Sequence, residues 1–143
     1  MQNKIIIVSD HGGYLLKNKL IEYLKQHDYE IIDAGTYTED SCDYPLIAQK
    51  VAKEIINDKT LQGILLCGTG IGMSIAANKI KGIRAAVVSD TTSARLAKEH
   101  NNANILCIGA RIVGEELAKD IVNNWLNATF LEARHLKRIS MIE

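Results

Sequence analysis

Five short apolar runs alternate with longer amphipathic stretches along this chain of 143 residues. The runs are rich in Ile, Val and Leu and end at glycine or polar residues, which is typical of strands buried on both faces. They cover residues 4–9, 29–35, 63–68, 83–90 and 104–110. Strands that alternate with helices form parallel sheets, so the pattern predicts a doubly wound, Rossmann-like α/β domain with helices on both faces of a five-stranded sheet.

The stretches between the runs repeat apolar residues every three or four positions, which predicts amphipathic helices. These helices are expected over 14–27, 44–56, 71–80, 92–101 and 114–126. The predicted buried positions of the first two are Leu15, Leu16, Leu20, Tyr23 and Leu24, then Leu46, Ile47, Val51 and Ile55. No linker, repeat or low-complexity segment interrupts the pattern, so we expect a single domain over residues 1–143.

Charge and cysteine content exclude several classes of function. Lys and Arg together number 17, as do Asp and Glu, and the pI is about 6.9. This balance argues against nucleic-acid and anionic-membrane partners. The apolar start is too short for a signal peptide, no run approaches a membrane span, and the three cysteines form no C-x-x-C pair. We therefore expect a cytoplasmic protein with reduced thiols and no metal site.

Ligands of doubly wound domains bind beyond the carboxyl ends of the strands, where this chain concentrates its polar residues. Those positions are Asp10, His11, Gly35, Thr36, Cys67, Ser89, Asp90, Gly109 and Arg111. The third run continues into a loop with Gly68, Gly70 and Gly72, which lets backbone N–H groups approach an anion or simply makes a tight turn. The loop is not a Walker motif, and Met73 replaces the third glycine of a dinucleotide fingerprint. Asp90 nevertheless keeps a nicotinamide site open as an alternative.

Cys67 is the sharpest candidate for chemistry. A cysteine in an apolar strand is usually a core residue, but here it directly precedes the glycine loop and the start of a helix. N–H groups at such a position favour the thiolate, which can act as base or nucleophile. A phosphotyrosine-phosphatase mechanism is excluded because Met73 stands where that motif needs arginine. Cys42 is assigned to a loop and Cys107 to the core.

Histidines and arginines supply the remaining candidates. His11 follows the first strand and is expected to be functional, whereas His27 is expected at the surface. His100 and Asn101 end a predicted helix, where they either balance the helix dipole or take part in catalysis. Arg134 and Arg138 are four residues apart on a C-terminal helix, so they share one face that is either solvated or holds a phosphate.

Seven motifs give the chain a specific family resemblance. They are "SDHGG", "DYP", "CGTGIGMSIAANK", "GIRAA", "HNNAN", "GARIVG" and "RHLKR". In this order, and over nearly the whole length, they resemble ribose-5-phosphate isomerase type B. The resemblance implies a five-stranded parallel sheet, a homodimer or dimer of dimers with active sites at the subunit boundary, and no metal or organic cofactor. It also implies interconversion of D-ribose 5-phosphate and D-ribulose 5-phosphate through an enediolate.

The same resemblance implies roles for individual residues. Cys67 matches the base that moves the proton, and His100 matches the group that opens the furanose ring. Thr69 and the loop N–H groups are expected to stabilise the enediolate. The matched substrate-binding positions are Asp10, His11, Gly68, Thr69, Gly70, Ile71, Gly72, Asn101, Arg111, Arg134 and Arg138. Some relatives use a glutamate base at the position of Met73, so this chain is of the cysteine-using type.

Three other functions remain open at this point. The nearest is isomerisation of a six-carbon sugar phosphate, such as allose 6-phosphate or galactose 6-phosphate. The subunits of the galactose 6-phosphate enzyme resemble this chain less well at the cysteine loop and at "RHLKR". The second is a nicotinamide-dependent oxidoreductase, which NAD binding would reveal. The third is a sensor that binds a sugar phosphate without turnover.

Overall fold

The computed structural model describes residues 3–143, which form five strands and six α-helices. The strands are β1 (Lys4–Ser9), β2 (Glu30–Asp33), β3 (Leu61–Cys67), β4 (Ala85–Val87) and β5 (Ile105–Gly109). The helices are α1 (Tyr14–Gln26), α2 (Tyr44–Asn57), α3 (Ile71–Ala77), α4 (Thr91–Asn101), α5 (Glu115–Asn127) and α6 (Ala133–Ile142). A single 3-10 turn, His11–Gly13, joins β1 to α1.

All five strands are parallel and lie in the order β2-β1-β3-β5-β4. Apolar residues of α1, α4 and α5 pack on one face of this sheet, and those of α2 and α3 pack on the other. Helix α6 packs against α4. The predicted fold class, a parallel sheet covered on both faces, is therefore confirmed.

The prediction that every strand is buried is wrong for β2 and β4. Strands β1, β3 and β5 are buried almost throughout, whereas β2 and β4 are mostly half-buried or exposed. The reason is their place in the sheet, because β2 and β4 are its two edges. Their apolar side chains belong to a surface that only partly packs on helices.

Two predicted core leucines are also exposed. Leu15 is 59% exposed and Leu46 is 70% exposed. In α1 the buried row consists of Leu16, Leu20 and Leu24, and Leu15 lies about 100° away from it around the helix axis. In α2 small residues supply much of the buried row, which consists of Ala48, Val51, Ala52 and Ile55. Leu46 lies outside that row.

Helix α3 ends three residues before its predicted end at residue 80. Beyond Ala77 the backbone tightens, because Lys79 N–H donates to the Ala76 carbonyl and Ile80 N–H to the Ala77 carbonyl. Such three-residue bonds are typical of a 3-10 termination. Gly82, with a φ of 91°, then turns the chain towards β4. No helix within residues 3–143 has the length and apolarity that a membrane span requires.

The strand order creates a crevice between β1 and β3. The chain leaves β1 towards β2 on one side and leaves β3 towards β4 on the other, so the two following loops diverge. In open α/β sheets this switch of direction is where ligands bind. Ser9 at the end of β1 lies opposite Leu66, and the Asp10 N–H donates to the Leu66 carbonyl at 3.0 Å. The end of β1 is thereby fixed beside the cysteine loop.

Candidate active site

Cys67 ends β3 at the crevice, and the backbone of the following loop folds around its sulfur. The side chain is 5% exposed. The Gly70 N–H donates to Cys67 Sγ at 3.0 Å. The sulfur therefore lies at the crevice with a backbone donor directed at it.

Glycine is required at Gly70 by conformation and by space. Its φ of 79° is unfavourable for other residues, and a Cβ there would lie 2.9 Å from the Ile108 carbonyl carbon. The left-handed turn at Gly70 directs its N–H back to the sulfur and begins α3. The loop also holds Thr69, whose Oγ1 accepts the Ile71 N–H at 3.2 Å and retains its own proton for donation.

Asp10 and His11 lie at the same edge of the sheet. The Asp10 carboxylate accepts the Gly13 N–H at 3.2 Å and so fixes the 3-10 turn. A Cβ on Gly12 would lie 3.4 Å from the Gly68 nitrogen, which places this turn against the cysteine loop. His11 Nδ1 accepts the Cys42 N–H at 3.4 Å, so the ring is oriented by the loop before α2.

Arg111 follows β5 and covers the cysteine loop from the other side. Its N–H donates to the Gly68 carbonyl at 2.9 Å. A Cβ on Gly68 would lie 3.4 Å from Arg111 Cδ, Nε and Cζ, so the side chain extends across this glycine. Asp10, His11, the Cys67 loop and Arg111 therefore form one polar cluster at the carboxyl edge, which we call the cysteine cluster.

The other predicted site residues form a second cluster on α4 and α6. His100 stacks on His135 with ring centroids 4.3 Å apart and planes inclined by 12°. Burial lowers the pKa of His135, and the nearby His100, Arg134 and Arg138 lower it further. These basic side chains thus lie within electrostatic range of His135. We call His100, Asn101, Arg134, His135 and Arg138 the basic cluster.

Within one chain the cysteine cluster lies at the carboxyl ends of the strands, and the basic cluster lies at their amino ends. Arg84, just before β4, donates to the Asn101 carbonyl from Nε at 3.0 Å, so the end of α4 lies beside the starts of the strands. Asn104 is likewise bonded to the beginning of β3, whereas Gly109 pairs with Cys67 at its end. The five residue-to-residue steps from Asn104 to Gly109 correspond to ~16 Å along the strand.

Asp90 has a structural role, and the two other cysteines lie where the sequence predicts them. The Asp90 carboxylate caps α4 by accepting the Ser93 N–H at 2.7 Å, and this bond lowers the pKa of Asp90. Cys107 is fully buried in the core, where burial raises the pKa of its thiol and keeps it neutral. Cys42 lies in a loop, as predicted. Among residues 3–143, no group of three His, Cys, Asp or Glu side chains is arranged to hold a metal ion.

Sequence reasoning gave no role to Tyr44, which contacts the cysteine loop, or to Lys17, which is bonded to the end of β2 and the loop after it. The Tyr44 ring lies against Gly72, where a Cβ would approach Tyr44 Cε1 to 2.5 Å. Lys17 is completely buried, and its Nζ donates to Asp33 at 2.6 Å and to the Thr36 carbonyl at 2.8 Å. The only available signals were the tyrosine beside Pro45 and a lysine on the apolar face of α1.

Comparison with known proteins assigns the family. Residues 5–142 match the family model of Ribose/Galactose Isomerase. The chain is 45% identical over 139 residues to ribose-5-phosphate isomerase B of Escherichia coli, covering 97% of this chain and 93% of that protein.

Solved structures agree with the sequence match. The ribose-5-phosphate isomerase B of Clostridium thermocellum is 51% identical with a TM-score of 0.95, covering 97% of this chain and 94% of that one. The Mycoplasma genitalium enzyme with bound ribulose-5-phosphate is 42% identical with a TM-score of 0.93, covering 97% and 93%. On sequence and on fold, this chain belongs to the ribose/galactose isomerase family.

Proposed function

We propose that this protein is a cytoplasmic aldose–ketose isomerase that interconverts D-ribose 5-phosphate and D-ribulose 5-phosphate. The observation that carries the proposal is the sulfur of Cys67 at the sheet crevice, held by the Gly70 N–H at 3.0 Å. Relatives named ribose-5-phosphate isomerase B, one of them with bound ribulose-5-phosphate, support this substrate. Three free thiols among residues 3–143 agree with a reducing compartment.

Cys67 acts as the base on the open-chain sugar. Its thiolate takes the proton from C2, and the C–H electron pair forms a C1–C2 double bond while the C1 carbonyl becomes an oxyanion. The proton of the C2 hydroxyl passes to the C1 oxyanion, the thiol returns its proton to C1, and the electron pair left on the C2 oxygen forms the C2 carbonyl. No electron leaves the substrate, so the chemistry needs no redox cofactor.

The loop after Cys67 stabilises the negative charge that develops on oxygen. Its N–H groups are fixed by the turn at Gly70, and Thr69 retains a hydroxyl proton to donate. Donors that are already oriented lower the barrier because they do not reorganise during the reaction. The base and the oxyanion donors therefore come from one short segment, residues 67–72.

The complete site combines two copies of the chain. The basic cluster lies at the amino ends of the strands, whereas Cys67 lies at a carboxyl end. Within one chain this is too far for both to contact the same substrate molecule. An isologous dimer brings the basic cluster of one copy to the cysteine cluster of the other, and does so twice. Exposed apolar residues beside the cysteine loop favour such contact: Ile71 is 52% exposed and Ile75 is 57% exposed, and both lie on one face of α3.

In this dimer the basic cluster has two tasks. His100 moves the proton that opens the furanose ring, with Asn101 binding the sugar beside it. Arg134 and Arg138 bind the phosphate together with His11 and Arg111 of the other copy, since guanidinium groups bind phosphate through paired hydrogen bonds. Asp10 binds substrate hydroxyl groups.

Substrate comparison tests the proposed function. The family name covers sugars of five and six carbons, so isomerisation of a six-carbon sugar phosphate is the second candidate. We expect kcat/KM for ribose 5-phosphate to exceed the values for allose 6-phosphate and galactose 6-phosphate. A higher value for either hexose phosphate would overturn the assignment, and binding without turnover of any of the three would indicate a sensor.

Loss of a phosphate ligand should weaken catalysis strongly. Arg138→Ala is expected to raise KM for ribose 5-phosphate and to lower kcat/KM about tenfold to a hundredfold, the usual cost of a charge-assisted hydrogen bond. Arg138→Lys should recover only part of the loss because lysine keeps the charge without the bidentate geometry. Steady-state kinetics measures both variants.

Arg95→Ala is the matched control for this experiment. Arg95 is exposed on α4 and pairs with Glu99 at 2.6 Å, one turn along the same helix. Removing an exposed pair of this kind costs little stability, so kcat/KM should stay near the wild-type value. Equal kcat/KM values for Arg138→Ala and Arg95→Ala would show that Arg138 is a solvated surface residue that does not bind the phosphate.

A further inference from the structure

A large polar cavity lies at the amino ends of the strands, away from the cysteine cluster. Its volume is about 880 Å³, within the range of small-molecule sites. Its wall includes Asn102, Asn104 and Asn127 and the aromatic residues Tyr29 and Phe130. The proposed isomerisation uses no residue of its wall.

Lys98 of α4 places a buried cation in this cavity wall. The residue is 8% exposed, and its Nζ donates to the Gln62 side chain and lies 4.2 Å from the centroid of the Trp125 ring. Both partners are uncharged. None of the ion pairs among residues 3–143 includes Lys98, so its charge is not neutralised by a carboxylate.

The surrounding charges do not compensate Lys98 either. The other ionisable side chains in the wall are His27, Asp28, Tyr29, Lys59, Arg84 and Glu143. Glu143 pairs with Arg84 at 2.7 Å, and Asp28 is exposed. On α4 itself, Glu99 pairs with Arg95. A buried ammonium without a counter-ion is costly, and a bound anion would relieve that cost.

We propose that this cavity is a second ligand site, which binds the phosphate or carboxylate group of a small metabolite at Lys98. The ammonium has three protons, of which Gln62 accepts one, so it can donate to an oxyanion in the cavity. Tyr29, Asn102 and Phe130 of the wall provide contacts for an organic body. The site is distinct from the proposed isomerase centre, since its wall contains no residue of the cysteine cluster or of the basic cluster.

Trp125 offers a direct readout because it is the only tryptophan of the chain and lies against Lys98. We expect titration with inorganic phosphate to change its fluorescence saturably in the millimolar range. Phenyl phosphate distinguishes the source of the anion. Tighter binding of phenyl phosphate indicates a phosphorylated metabolite, and equal binding indicates free phosphate.

Two variants separate this site from the proposed active site. Lys98→Met keeps the packing on Trp125 but removes the charge, and it should weaken phosphate binding at least about tenfold. Lys53→Met, at an exposed position on α2, is the matched control. Arg138→Ala removes a ligand of the proposed active site and should leave the Trp125 titration unchanged. Thermal unfolding checks that each variant folds.

The pH dependence gives an independent criterion. Burial lowers the pKa of Lys98 to about 8. The anion binds the protonated amine, so affinity should fall as pH rises through 8 and beyond; Lys98→Met should lack this fall. No saturable Trp125 signal, or an equal signal in Lys98→Met, would overturn the proposal. So would loss of the signal in Arg138→Ala.

Discussion

Cys67→Ser should fold, bind ribose 5-phosphate and lose about two to four orders of magnitude in kcat, the range for removal of a positioned general base. Serine preserves the shape of the side chain and can still accept the Gly70 N–H. Its hydroxyl is not ionised at neutral pH, however, so it cannot take the C2 proton. Steady-state kinetics together with calorimetric titration of the substrate separates the loss of chemistry from the loss of binding.

Cys107→Ala provides the control for this variant. Cys107 lies in the same buried layer as Cys67, on neighbouring β5, but it is fully buried and burial raises the pKa of its thiol. We expect a small loss of stability and a kcat close to that of the wild type. A nearly normal kcat for Cys67→Ser would rule out the sulfur as the base.

The fold was predictable because local pattern and sheet geometry agree in this chain. Ile5, Ile6, Ile7 and Val8 are all completely buried, as an uninterrupted apolar run predicts for a central parallel strand. The same pattern could not predict that β2 and β4 are edges, since edge position depends on the strand order and not on a strand's own residues. Leu15 and Leu46 were wrongly predicted to be buried. The apolar spacing defines a wider face of each helix than the face that packs on the sheet.

The cysteine cluster was predictable for a related reason. Parallel strands bring their carboxyl ends to one edge, so Asp10, Cys67 and Arg111 were expected close together from the order of runs alone. The structure adds what no spacing could show: the Gly70 N–H on sulfur, and the packing of Tyr44 on Gly72. These contacts depend on a left-handed turn and on a loop that crosses from another strand.

The basic cluster could not be located from the residues taken singly. Histidine at the end of a helix and arginines four residues apart are common on solvated surfaces. Their grouping depends on α6 packing against α4, which brings His135 onto His100. Even with this grouping, the cluster of one chain lies at the amino ends of the strands, away from Cys67 of the same chain. The proposed site therefore requires two copies of the chain.

A mixture of two inactive variants should recover activity if each site uses two copies of the chain. Cys67→Ala lacks the proposed base, and His100→Ala lacks the group proposed to open the ring, so each homodimer should have two defective sites. After unfolding and refolding together in equal amounts, half of the dimers are mixed, and each mixed dimer has one intact site and one doubly defective site. Specific activity should therefore reach about a quarter of the wild-type value.

The same protocol applied to either variant alone is the control and should give no gain. If the two residues instead acted within one chain, every site would keep one defect. The refolded mixture would then be no more active than the average of its two components, and that result would exclude the two-chain site.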